Sequence, residues 1–202
     1  MKSVLISIHP KWCALIASGK KTIEVRKTAP KLPTPFKCYI YETKARTDTP
    51  AFVDEDGHVL YTGRGQVIGE FMCYATMPIS VKYSDPSHRM AQRDFPFTGM
   101  TDKQIIDYLG NGKKGYGWHI LDLKIYDNPL ELSKFRVEDK PAIKACKHRF
   151  RAGQPEYVAR HGGWLQGGWG CMKTGEPEWC ENCLTKPLTR PPQSWCYVEE
   201  MP

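Results

Sequence analysis

Hydrophobic and polar positions along the first two thirds of this chain fall into short strand-like runs and two helical ones. Ser3–Ile8 (SVLISI) is an apolar run of strand length. Pro10 then occupies a first helical position, and Trp12, Leu15 and Ile16 recur at helical spacing. Gly19 stops the element, so a short helix over Pro10–Ser18 is predicted. Thr22–Arg26 alternates, with Ile23 and Val25 on one side and Thr22, Glu24 and Arg26 on the other. Residues 28–35 hold three prolines and form a loop, and Phe36–Thr43 (FKCYIYET) reads as a strand. A polar excursion over residues 46–65 leads to Gln66–Thr76, the clearest buried strand, which only Glu70 interrupts. After an irregular stretch (84–99), Thr101 and Gln104 make a capping box ahead of Ile105, Ile106, Tyr108 and Leu109, and Gly110 ends that helix. Trp118–Tyr126 (WHILDLKIY) is a further strand. Beyond residue 137 the periodicity disappears, and only Ser194–Glu199 reads as a late strand.

The order of elements lacks βαβ regularity, which points to an α+β fold: a small mixed β-barrel with short flanking helices. The expected division is a barrel domain over residues 1–136 and an irregular, Cys/Gly/Trp-rich C-terminal extension over 137–202, packed on the barrel.

Composition adjusts this picture in three places. With 202 residues, 41% of them apolar, the chain can bury a core, and no apolar run is long enough for a membrane helix. The N-terminus carries no export signal, so a cytoplasmic location is expected. The net charge of +7 is concentrated: residues 1–46 hold ten Lys and Arg against Glu24 and Glu42, while the rest of the chain sums to −1. A basic segment interleaved with Trp12, Tyr39 and Tyr41 suits phosphate contact and base stacking, that is, a nucleic-acid or nucleotide partner, although a plain solvated face has the same composition. Of the eight cysteines, five lie in the last 67 residues. Cys180-Glu-Asn-Cys183 is a CxxC pair, and with Cys146 and Cys171 it offers four thiolates for a structural Zn²⁺, against the alternative of free cysteines. No P-loop, GxGxxG, HExxH or GxSxG motif occurs.

Glu70 is the most telling single position, since an ionised carboxylate in an apolar strand is costly to bury unless paired. Lys21 and Arg26 are its expected partners, either around a general acid/base or in a structural ion pair. Glu24 and Arg26 share a strand face, as a recognition pair or as a weak surface pair.

Gly19-Lys20-Lys21-Thr22-Ile23-Glu24-Val25-Arg26 resembles the G-x-K-x-x-E-x-R signature of ASCH domains, in the PUA-like superfamily of small β-barrels. The strand Val67-Ile68-Gly69-Glu70-Phe71 and the block Gly117-Trp118-His119-Ile120 match in the same order, and together they cover roughly residues 3–130. The cysteine-bearing tail is similar to that of long ASCH proteins of phages and gut bacteria. The resemblance implies a cleft for RNA or a modified nucleoside. Some relatives are amidohydrolases that deacetylate N4-acetylcytidine with a Lys, a Thr three residues later and a Glu. On that pattern Lys21 and Glu70 are the catalytic candidates, with Glu24 standing where the Thr is expected. Arg26, Lys44, His9, Trp118 and His119 are the candidate substrate contacts. The alternative is a non-catalytic RNA-binding module, regulatory or a phage accessory.

Overall fold

Within its first eight residues the chain already forms an interior strand of a sheet. The computed structural model describes residues 2–44, 63–82, 96–138 and 185–201, together with the backbone of 52–53, 59–61, 149–151 and 169–171. The strands are β1 (Lys2–Ile8), β2 (Ile23–Arg26), β3 (Phe36–Glu42), β4 (Phe52–Val53), β5 (Val59–Tyr61), β6 (Gln66–Ser80), β7 (Lys114–Leu130), β8 (Arg136–Glu138), β9 (Arg149–Arg151), β10 (Trp169–Cys171), β11 (Thr185–Pro187) and β12 (Trp195–Glu199); the helices are α1 (Pro10–Ala17) and α2 (Asp102–Leu109). The chain divides into two compact units, Met1–Leu132 with Arg190–Pro202, and Ser133–Thr189.

The first unit is built on one six-stranded sheet in the order β12-β1-β3-β6-β7-β2. β1 pairs with β3 in parallel and with β12 antiparallel, and the remaining ladders are antiparallel. β1 is buried along almost its whole length because both of its neighbours are occupied. That burial explains why its two serines need partners. Ser7 finds one, donating from Oγ to the Pro192 carbonyl at 2.7 Å.

One face of the sheet forms the main core. Ile6 and Ile8 of β1, Cys38 and Ile40 of β3, Phe71 and Cys73 of β6, and Trp118 and Ile120 of β7 pack there with Cys13 and Ile16 of α1. The opposite face of β2 supplies Ile23 and Val25 to a second cluster with Ile79, Val81 and the apolar side of α2. The predicted capping box of α2 is present: Thr101 Oγ1 accepts from Gln104 N at 3.3 Å, and Gln104 Oε1 accepts from Thr101 N at 2.9 Å.

β2 and β12 are the two ends of the ladder, and side chains bring them together. Trp118 stacks edge-on against Trp195 with centroids 5.8 Å apart, and Trp195 against Tyr197 at 5.3 Å. The proline-rich loop after β2 fastens to the same strand, with Trp195 Nε1 donating to Thr28 Oγ1 at 3.1 Å and Lys31 N donating to the Tyr197 hydroxyl at 2.7 Å. Arg26 reaches the β1 backbone at the Ser7 carbonyl, 2.6 Å away. The result is a strongly curled, barrel-like sheet of α+β class.

Two expectations need adjustment. β6 and β7 run further than the apolar pattern suggests, to Ser80 and from Lys114 to Leu130, because register shifts in their ladder carry polar residues along without breaking the pairing. In the second unit, β8 pairs with β11 and β9 with β10, where no strand is predicted. Three-residue strands are too short to show a period of two. Among the described residues no helix is long and apolar enough to cross a membrane.

Candidate functional site

The signature after α1 places three charges inside the first unit. Gly19, at φ 72°, turns the chain out of the helix, and Lys21 N donates back to the Leu15 carbonyl at 3.0 Å. Alternation then sends Ile23 and Val25 toward α2 and Glu24 and Arg26 toward the interior, where Glu24 lies opposite Trp118 in the β2–β7 register. Lys21, Glu24 and Arg26 are 1%, 5% and 7% exposed.

Their contacts form a closed set. Glu24 Oε2 lies 3.1 Å from Lys21 Nζ and Glu24 Oε1 lies 2.9 Å from Arg26 Nη2. Lys21 Nζ also donates to the carbonyls of Ile23, at 2.8 Å, and Thr98, at 2.6 Å. An ammonium has three N–H groups, so these three acceptors use all of its donors. The Thr98 carbonyl is delivered by a short 3₁₀ turn, Pro96–Thr98, which Thr22 N holds through the Phe97 carbonyl at 2.8 Å. Arg26 Nη2 divides its hydrogens between Glu24 and Ser7. Its Nε is buried and has no hydrogen-bond partner among the described residues.

The interior end of the parallel β1–β3 pair adjoins this triad. Ile8 and Glu42 stand in register at the two strand ends, so His9, Glu42 and Lys44 emerge together. His9 and Lys44 are exposed, whereas Glu42 is buried. Its Oε2 accepts from Arg64 N at 2.9 Å and its backbone carbonyl from Gly65 N at 3.1 Å. Cys13 sits against this end with its Sγ 3.6 Å from the Ile8 carbonyl. Burial pushes its thiol well above the ordinary value, and the negative charges of Glu42 and Glu24 push the same way while Arg26 opposes them.

The structure does not bring Glu70 to this place. The carboxylate shared by Lys21 and Arg26 is Glu24. Glu70 pairs in register with Tyr39 and Lys124 on the opposite sheet face from Phe71 and Cys73. There it accepts a 2.6 Å hydrogen bond from the Tyr126 hydroxyl. Strand position alone could not choose between the two faces, because a bulge at Ile68 resets the alternation. His119 lies on the outer face beside Met77, with Nε2 3.2 Å from its Sδ. Trp118 is fully buried and packs edge-on against Phe36, so it is core. The aromatics expected to stack on bases are also occupied. Tyr39 and Tyr41 are buried, and Lys11 and Lys21 lie 5.1 and 5.4 Å from the Trp12 ring centroid. Of the candidate zinc ligands, Cys146, Cys180 and Cys183 lie outside the described residues, and only the backbone of Cys171 is described.

Four residues of the site were not singled out from the sequence: Ser7, Cys13, Glu42 and Thr98. Glu42 had a readable signal, since it continues the inward-facing series Cys38, Ile40 by one more step of two.

The ASCH domain family model matches residues 6–74, from β1 into β6. In structure, the chain is similar to the crystal structure of ASCH from Zymomonas mobilis, at a TM-score of 0.52 and 16% identity, covering 98% of this chain and 88% of that one. It is likewise similar to a single-substitution variant of that protein, at 0.51 and 17%, covering 99% and 92%. No curated protein matches the chain. The family model thus covers about a third of the chain, and the likeness to the solved structures is one of fold.

Proposed function

We propose that the first unit binds RNA or a modified nucleoside at the interior end of the β1–β3 pair, and that it does so without catalysis. The observation that carries this is the buried Lys21–Glu24–Arg26 set, which leaves Arg26 Nε as a desolvated donor lacking a partner among the described residues. Such a buried donor is costly to leave unsatisfied, and a ligand acceptor would offset that cost. The exposed Lys44 and His9 flank the same end and supply contacts to phosphate or sugar.

Two features weigh against an amidohydrolase. Glu24 replaces the hydroxyl residue of the deacetylating relatives. Lys21 has committed all three of its N–H groups to Glu24 and two carbonyls, so a proton transfer through it must first break a buried ion pair. Incubation with N4-acetylcytidine and related acylated nucleosides, read by chromatography, separates the two roles: binding without product is expected, and turnover would overturn the non-catalytic reading. If neither nucleosides nor RNA bind at low salt, the binding reading itself fails. For the tail we propose a structural Zn²⁺ on Cys146, Cys171, Cys180 and Cys183, and a native mass lacking zinc would sink that proposal.

A further inference from the structure

Tyr116 stands opposite Arg26 in the β2–β7 register and opposite Pro78 in the β6–β7 register. Residues paired across an antiparallel ladder project from the same sheet face, so Tyr116 shares a face with Arg26, whose Nε lacks a partner among the described residues. Arg26 is 7% exposed and Tyr116 36%, and Pro78 is exposed as well. The face that is closed over Lys21, Glu24 and Arg26 therefore opens to solvent one strand across. Among the described residues the Tyr116 ring has no hydrogen bond, ring contact or cation.

The local sequence accounts for that presentation. Residues 114–117 alternate Lys-Gly-Tyr-Gly. A Cβ on Gly115 would lie 2.5 Å from Leu109 Cδ2 and 2.9 Å from the Arg26 carbonyl oxygen, and one on Gly117 would lie 2.7 Å from Ile79 Cδ1 and 2.9 Å from Ile23 Cγ2. The glycines let the α2 cluster press against one face of β7, and alternation sends Lys114 and Tyr116 to the other. Two more lysines gather at this end. The turn between α2 and β7 is fastened to the end of β6, with Gly112 N donating to the Val81 carbonyl at 2.8 Å and Ser80 Oγ to the Gly112 carbonyl at 3.3 Å. The stems of Lys82 and Lys113 lie along its glycines: a Cβ on Gly112 would be 3.0 Å from Lys82 Cε, and one on Gly110 2.9 Å from Lys113 Cδ. Lys82, Lys113 and Lys114 are exposed, and none has an ion pair among the described residues. Residues 77–82 and 110–120, which build this end, hold no acid, and Asp107 of α2 is taken by Lys103 at 2.7 Å. Uncompensated lysines beside an exposed aromatic are the composition of a single-strand platform.

We infer that Tyr116, Lys82, Lys113 and Lys114 form the platform for a single-stranded RNA running out of the site. Tyr116 stacks on a base beside Arg26, and the three lysines neutralise the phosphates that follow. The ligand is then a strand rather than a free nucleoside. This deepens the binding reading above and rests on it.

The test is fluorescence anisotropy of the full chain with a short labelled single-stranded RNA across a KCl series, with N4-acetylcytidine and unmodified nucleosides titrated in parallel by calorimetry. The triple substitution Lys82→Gln, Lys113→Gln, Lys114→Gln is expected to lower the slope of log K against log salt by about 2, at ~0.7 for each single-strand phosphate, and to leave nucleoside binding unmoved. Tyr116→Thr removes the ring and keeps a strand-forming side chain. It is expected to weaken RNA binding roughly tenfold with the slope unchanged, and Tyr116→Phe to retain the affinity. A purely structural role moves the melting temperature and leaves the slope as it was. A wild-type slope in the lysine variant, or wild-type affinity in Tyr116→Thr, overturns the inference and leaves the binding reading intact. Wild-type binding of nucleosides but not of RNA does the same. Binding of neither overturns both.

Discussion

Glu24→Gln tests whether the signature is a buried ionic set or a surface pair. Side-chain exposure is 1% for Lys21, 8% for Arg26 and 7% for Glu24, and each carboxylate oxygen serves one cation. The amide keeps the shape and one acceptor but loses the charge, and its NH₂ turns toward one of the two cations. Lys21 retains the carbonyls of Ile23 and Thr98, and Arg26 retains that of Ser7, so both remain hydrogen-bonded but electrostatically uncompensated. Removing one partner from a buried pair costs about 3–5 kcal/mol, and the retained carbonyls place this case toward the lower end. For a unit of this size roughly 2–4 °C accompanies each kcal/mol, so the midpoint should fall by on the order of 10 °C. Thermal unfolding followed by tryptophan fluorescence reads the change, since Trp118 and Trp195 are packed together in the same unit. Lys21→Met removes one of the two stranded cations, so in a Glu24→Gln background it should cost less than alone, with a coupling of at least about 1 kcal/mol. A Glu24→Gln loss under about 1 kcal/mol, or no coupling to Lys21→Met, would mean the triad behaves as a solvated pair and would refute its burial.

Three further outcomes follow from the same contacts. Truncation after Thr189 removes β12 and exposes the β1 edge along five paired residues, so the shortened chain should elute as aggregate and lose its cooperative transition; a monomer with the wild-type transition would count against side-chain closure of the sheet. Gly63→Ala forces a Cβ into the Thr43 carbonyl at a positive φ and should cost more than about 1 kcal/mol in a thermal melt, against near-neutrality if the turn is loosely held. The Tyr126 phenol is raised above 10.0, first by burial and then by its hydrogen bond to Glu70 and the carboxylate's charge. The folded state favours the neutral phenol, so the associated stability is complete below pH 10 and is lost as pH rises through the higher folded value. In Glu70→Gln one tyrosine should ionise at lower pH in an absorbance titration; an unchanged curve refutes the contact.

The strands and helices were legible because their patterns are local. Ser3–Ile8, Phe36–Thr43 and the Thr101–Gln104 capping box each declare themselves within a few residues, and each appears as β1, β3 and the start of α2. The two ends of the sheet were not legible in the same way. β12 joins β1 across most of the chain, and nothing in Trp195–Glu199 names its partner. The 3₁₀ turn that gives Lys21 its Thr98 acceptor has no period at all, and only the folded chain brings residue 98 within 2.6 Å of residue 21.

The site itself shows why a correct alternation can still leave burial undecided. Ile23 and Val25 on one side of β2 and Glu24 and Arg26 on the other read as a half-buried strand with its charges in water. Both sides of β2 are in fact covered: α2 takes the apolar side, and the curl of the sheet folds the charged side inward against Trp118 and the Ser7 carbonyl. A polar face can be buried only if its charges satisfy one another, and Lys21, Glu24 and Arg26 do so at a spacing of three and two. Glu70 offers the contrasting case. It lies in the more apolar strand and invited a buried role, yet a single bulge turns it outward to Tyr126. Mutual satisfaction of charges at strand spacing, more than the hydrophobicity of the flanking residues, is therefore the feature that marks an interior polar site in this sheet.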